Sequence, residues 1–144
     1  MTRLLRFQKK IKKTDASIPI IIGGAHISGF PKGITSRYFD IGVIGEGEET
    51  LLELIRMYRD LTHKVTPESL TNVKGICFAI GGETVFTGYR EFIKDIDTIP
   101  HFDMNFLKKY NALAFTSTSR GCLYDCKYCN SSTIWQKKSE ISFP

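Results

Sequence analysis

The chain has 144 residues, 42% hydrophobic and 24% charged, a globular composition long enough for one ordinary core. It contains no run of about eighteen apolar residues, so no membrane-spanning helix is expected. The formal net charge of +5 is local, because Arg3, Arg6, Lys9, Lys10, Lys12 and Lys13 crowd the amino-terminal end. Such a run is ordinarily the solvated face of a helix, with contact to nucleic acid as the rival reading. The cysteines, three of four clustered, suit a reducing cytoplasm better than a disulfide framework.

Leu4, Phe7 and Ile11 recur at i, i+3 and i+7 between basic residues and predict an amphipathic helix. Asp15 and Ser17 mark a turn. The β-branched run Ile18-Pro19-Ile20-Ile21-Ile22 then predicts a buried parallel strand, with Pro19 near its start. Gly23-Gly24-Ala25-His26-Ile27-Ser28 is expected to form the loop at that strand's carboxyl end. Open α/β sheets bind ligands along this edge. By itself a Gly-Gly pair there is a plain strand-end turn.

Phe39 to Ile44 predicts a second parallel strand. Gly45-Glu46-Gly47-Glu48-Glu49-Thr50 follows, and then a helix carrying Leu51, Leu52, Leu54, Ile55 and Tyr58. Acids in a first helical turn are stabilised by the helix dipole, by about 0.3–1 kcal/mol each. The loop is no phosphate cradle, since acids stand where donors would be needed. Thr66-Pro67-Glu68-Ser69 is expected as a loop. Asn72 to Ile80 and Glu83 to Gly88 read as strands joined by Gly81-Gly82 in a tight hairpin, with Cys77 as a buried structural thiol. Pro100 closes a linker-like stretch. Ala112 to Ser117 then predicts the first strand of a new domain, and its carboxyl end carries the loop Arg120 to Cys129.

That loop holds the chain's most specific signal. Cys122, Cys126 and Cys129 stand at the spacing C-x3-C-x2-C, with Tyr128 just before the last. Three thiolates match three corners of a cubane iron–sulfur cluster and leave one iron open. Two other readings remain. Zinc would need a fourth ligand from a distance, because no histidine follows His101. A disulfide pair with a spare thiol would suit a secreted chain.

The spacing, the aromatic Tyr128 and the flanks Thr116 to Gly121 and Asn130-Ser131-Ser132 resemble the signature of the radical S-adenosylmethionine (radical SAM) superfamily. The resemblance implies a [4Fe-4S] cluster on Cys122, Cys126 and Cys129, and S-adenosylmethionine (SAM) on the open iron with Tyr128 near its adenine. It implies reductive cleavage of SAM to a 5′-deoxyadenosyl radical. The stretch from Ile18 to about Ile55 resembles the last part of a cobalamin-binding domain of the kind fused to radical SAM domains. There Gly23 and Gly24 would pack against the nucleotide tail of cobalamin, a possible further cofactor. His26 is not expected to ligate cobalt, since the D-x-H-x-x-G pattern is absent. Gly81-Gly82-Glu83 spells a SAM-binding triplet of the family but precedes the cysteines, and is taken as the hairpin turn.

The expected fold is therefore α/β: the C-terminal part of a doubly wound parallel-sheet, cobalamin-binding-like domain with an added β-hairpin over 1–92, then a linker over 93–111. Residues 112–144 would begin a radical SAM partial (β/α) barrel. The chain is expected to be a fragment of a cytoplasmic enzyme that meets SAM, an unknown substrate and a flavodoxin- or ferredoxin-like reductant. Methyl transfer or related radical chemistry is expected of the parent, no catalytic side chain can be named, and no membrane is involved. Nucleic acid is not expected as a partner, although the basic end leaves a tRNA substrate open. The alternatives are a non-catalytic corrinoid- or partner-binding α/β module and a structural zinc protein.

Overall fold

A strand that is apolar on both faces must be covered on both faces, and the run from Ile41 to Ile44 organises the first part of the molecule in that way. In the computed structural model, residues 2–31, 39–60, 64–100, 103–109, 119–124 and 126–135 are described. The chain divides into two units, Met1–Glu91 and Phe92–Pro144.

The first unit contains helix α1 (Thr2–Thr14), strand β1 (Ile21–Ile22), helix α2 (Ala25–Gly29), strand β2 (Ile41–Val43), helix α3 (Glu48–Arg59), helix α4 (Pro67–Leu70) and strands β3 (Ile76–Ile80) and β4 (Glu83–Phe86). The four strands form one mixed sheet in the order β1-β2-β3-β4. β1 and β2 are parallel, with Ile21 opposite Ile41 and Ile22 opposite Gly42. β3 runs antiparallel to β2, with Gly42 opposite Cys77, and pairs with β4 as a hairpin. The turn residues Gly81 and Gly82 have φ of 60° and 91°. Two left-handed residues in succession match the twist of a two-residue hairpin, and glycine adopts them without strain.

Alternation along the strands sends side chains into two clusters. Ile41, Val43, Ile76 and Phe78 pack with Leu54 of α3 and with Leu70 and Val73 on one face. Ile44 and Cys77 pack with Ile27 of α2 on the other, flanked by Ile22, Phe39 and Phe86. α3 carries Glu48 and Glu49 in its first turn and Arg56 and Arg59 in its last, so its charges oppose the helix dipole at both ends. Leu51, Leu52 and Ile55 lie on its exposed side.

Side chains tie the connections down. Asp40 Oδ2 accepts from the backbone N–H of Ile20 and meets Lys12 Nζ, each at 2.7 Å. Lys12 Nζ also donates to the carbonyls of Ala16 and Ile18. Arg90, after β4, donates through Nε to Thr50 Oγ1 and pairs with Glu53. Thr66 and Ser69 cap each other at the start of α4, with Pro67 at its first position.

Three local expectations are revised. Ala25–Gly29 is a short helix, where Gly23 to Ser28 was expected to be loop; Ile27 and Ser28 gain burial from it. Pro67–Leu70 is also one helical turn, because its mutual cap satisfies the first N–H groups. Of the stripe expected to pack on α1, Phe7 faces outward and Ile11 turns partly inward. Phe7 is 62% exposed and Gln8 only 3%, with Ile11 and Lys12 half-buried. Positions 8, 11 and 12 share one face at i, i+3 and i+4. The three contacts of Lys12 turn that face inward. Among the described residues Gln8 Oε1 has no hydrogen-bond partner, which costs about 1–3 kcal/mol.

In the second unit the described elements are a 3₁₀ turn at Ile96–Thr98 capped by Asp95, helix α5 (Met104–Lys109) and helix α6 (Ser131–Ile134). Trp135, just after α6, meets Phe92 with ring centroids 5.5 Å apart. The strand expected over 112–117 lies outside the described residues. Among the described residues no helix is long and apolar enough to cross a membrane.

Candidate functional sites

The sequence points to two places, one in each unit. In the first unit the carboxyl ends of β1 and β2 lie side by side, because the strands are parallel and in register. Ile21, Ile22 and Gly23 from β1 and its end, Val43 from β2, and Gly47, Glu48 and Leu51 from the start of α3 line a cavity of about 410 Å³. Parallel pairing thus brings the Gly-Gly turn and the Gly-Glu-Gly-Glu loop to one edge, as open α/β sheets do.

The two glycines differ in their physical roles. Gly24 has φ 104° and ψ −178°, a conformation open in practice to glycine alone. Gly23 is not constrained in that way. A Cβ there would meet Val43 O at 3.6 Å and Val43 Cβ at 3.7 Å, which is ordinary contact. Sequence reasoning missed Ser28. This buried side chain accepts from the backbone N–H of Gly45 through Oγ at 2.9 Å and pins the second loop to α2. The only signal would have been a small polar residue among apolar ones at the strand's end. His26 is exposed, with its ring 6.4 Å from that of Phe30.

In the second unit Cys122 and Cys126 are half-buried, Cys129 is exposed, and none is in a disulfide. Tyr128 is 92% exposed, and Leu123 and Tyr124, earlier in the loop, are also exposed. The loop turns at its last two cysteines, where the N–H of Cys129 donates to the Cys126 carbonyl at 2.9 Å. Ser131, the first residue of α6, lies close behind. Its Oγ is 3.3 Å from Cys129 Sγ. The hydroxyl and then the backbone N–H of Ser131 hold the Cys129 thiol below its ordinary range, by hydrogen bonding to the thiolate. By contrast, burial pushes the Cys77 thiol up.

Among the described residues no group of three or more His, Cys, Asp and Glu side chains is set to hold a single metal ion. A mononuclear site draws its ligands to about 2.3 Å from one atom. A cubane presents a separate iron to each thiolate and so takes its ligands farther apart than a single ion does. As a donor set, three thiols outside any disulfide are the residue type that a cluster takes.

Fold and site together define an α/β unit with a glycine-bearing sheet edge, followed by a unit with a three-thiol loop. No family model matches the chain. Over 125 residues it is 29% identical to the anaerobic magnesium-protoporphyrin IX monomethyl ester cyclase of Cereibacter sphaeroides, covering 81% of this chain and 20% of the cyclase. Over 139 residues it is 30% identical to an uncharacterized methyltransferase of Pyrococcus horikoshii, covering 90% of this chain and 29% of that protein. The chain thus spans less than a third of either curated relative, and both relatives are named as enzymes.

Proposed function

We propose that the chain is part of a radical SAM enzyme whose cluster is held by Cys122, Cys126 and Cys129. The observation that carries the reading is the C-x3-C-x2-C loop, whose three cysteines stand outside any disulfide. Kinship with a named cyclase and a named methyltransferase supports it. When bound, a [4Fe-4S] cluster would supply the electron that cleaves SAM to a 5′-deoxyadenosyl radical, drawn from a flavodoxin- or ferredoxin-like donor. The chain's own part is to hold three irons and leave the fourth open. Tyr128, exposed beside the last cysteine, is available to the adenine of SAM. In a longer parent the reaction would be methyl transfer or a related ring-forming step; a tRNA substrate rests on the basic face of α1 alone.

In the same proposal residues 1–92 are a partial cobalamin-binding-like domain, 93–111 a linker and 112–144 the opening of a partial barrel. The cavity beside Gly23 is where this reading places the nucleotide tail of cobalamin, with Gly24 shaping the turn. Because Gly23 has room for a methyl group in the fold, Gly23→Ala should leave stability unchanged and weaken corrinoid binding read by absorbance. Equal corrinoid binding by the variant would remove Gly23 from the site.

The deciding experiment is anaerobic reconstitution with iron and sulfide, then reduction and EPR with and without SAM. A cubane signal that changes on adding SAM is the expected result. Bound zinc without sulfide would overturn the proposal in favour of a structural metal.

A further inference from the structure

The cluster loop contains a contact that its spacing does not announce. The free Cys129 thiol donates to Ser131 Oγ at 3.3 Å, and Ser131 is half-buried; with iron in place of the thiol proton the sulfur can only accept, and the hydroxyl becomes the donor. The Ser131 backbone is fixed from both sides. The Cys126–Cys129 turn precedes it, and the Ser131 carbonyl accepts from the Trp135 N–H at 2.9 Å. Trp135 is in turn held by its ring contact with Phe92. The hydroxyl is therefore presented to the sulfur by a supported element rather than by a free loop.

A sulfur bonded to iron keeps lone pairs that accept hydrogen bonds, and hydrogen bonds to cluster sulfurs are among the factors that set reduction potential. Reduction adds one negative charge, which spreads onto the thiolates. A donor aimed at one thiolate stabilises the reduced state more than the oxidised state. Resting on the cluster reading above, we propose that Ser131 is a positioning residue for Cys129: its hydroxyl donates to the Cys129 sulfur and raises the potential of the bound cluster. One electron enters from the external reductant. No bond to Ser131 forms or breaks, and its proton stays on oxygen.

The test uses the full chain reconstituted as the wild type, Ser131→Ala and Ser131→Thr, each titrated with dithionite and followed by EPR. Ser131→Ala removes the hydroxyl and keeps the backbone N–H; Ser131→Thr keeps both. The expected result is equal iron and sulfide content in all three. At a fixed solution potential the reduced-to-oxidised ratio should fall threefold to tenfold in Ser131→Ala, tenfold being 59 mV for one electron, and recover in Ser131→Thr. Superimposable titrations of wild type and Ser131→Ala would overturn the proposal and leave the cluster reading standing. Loss of the cluster in Ser131→Ala alone would also overturn it, making the hydroxyl a requirement for retention. A wild type that forms no cubane would overturn the cluster reading and this inference with it.

Discussion

Gly42 sits at the middle of β2, directly opposite Cys77 on β3, and its missing side chain is what lets the second core cluster close. A Cβ at this position would fall 2.7 Å from Cys77 Sγ, 2.9 Å from Ile27 Cγ2 and 3.4 Å from Phe39 Cε2. The first two distances are well inside van der Waals contact, and all three neighbours are packed. Gly42→Ala should therefore destabilise the chain by about 1–3 kcal/mol, the usual cost of overpacking a filled core. Cys77→Ala alone should cost about 1–2 kcal/mol through the space it leaves. In the double variant the new methyl group occupies part of the volume the sulfur vacated, so the two costs should sum to more than the observed loss. The coupling should be of order 1 kcal/mol, with residual strain from Ile27. Urea unfolding followed by far-ultraviolet circular dichroism gives the cycle. With a slope of about 1–3 kcal/mol/M, the Gly42→Ala midpoint should drop by roughly 1 M. Strictly additive costs, or a Gly42→Ala midpoint at the wild-type value, would refute the packing argument.

The raised Cys77 thiol also makes a pH prediction. Above its ordinary value of 9.0 the unfolded chain releases this proton while the folded chain keeps it. The unfolded state then binds fewer protons, so stability present below that pH is lost as pH rises, by at most about 1.4 kcal/mol per unit. Cys77→Ala lacks this loss; its deficit against wild type should narrow from about pH 8 to about pH 10, and a widening gap in urea titrations would contradict the assignment. Gln8→Met should raise the urea midpoint, since it replaces a buried, unpartnered amide with an apolar chain of similar length and relieves up to about 1–3 kcal/mol; a lower midpoint would mean that the amide is bonded. Alanine at Cys122, Cys126 or Cys129 should abolish iron retention after reconstitution, while Cys77→Ala keeps it. Full iron content in Cys126→Ala would remove that residue from the ligand set.

Much of the local structure was legible because its causes are local. The acids opening α3 and the Gly81-Gly82 turn each act within a few residues; the apolar run before Gly23, expected as a buried strand over 18–22, is only the half-buried edge strand Ile21–Ile22, with Ile18 exposed. What sequence reading lost involved distant partners. Phe7 looked like the packed residue of α1 because hydrophobic period was the only guide. The decisive contact is Lys12 with Asp40, which only folding brings together. Arg90 with Glu53 and Ser28 with the Gly45 N–H escaped notice for the same reason. Ser131 stood in the flank that was read, yet nothing in its spacing said that the hydroxyl would face sulfur.

The sequence by itself determined which groups are present and in what order: three thiols at a fixed spacing, two glycines after an apolar run, and acids at the head of a helix. Those are matters of covalent order and short-range preference, which the chain carries whether folded or not. Tertiary structure decided how they are used. It paired β1 with β2 so that two loops share a cavity, set Cys77 against Gly42 where the sheet has no room to spare, and placed the Ser131 hydroxyl at Cys129. Distances between residues far apart in the chain are set by packing, and packing has no signature in any single stretch of residues.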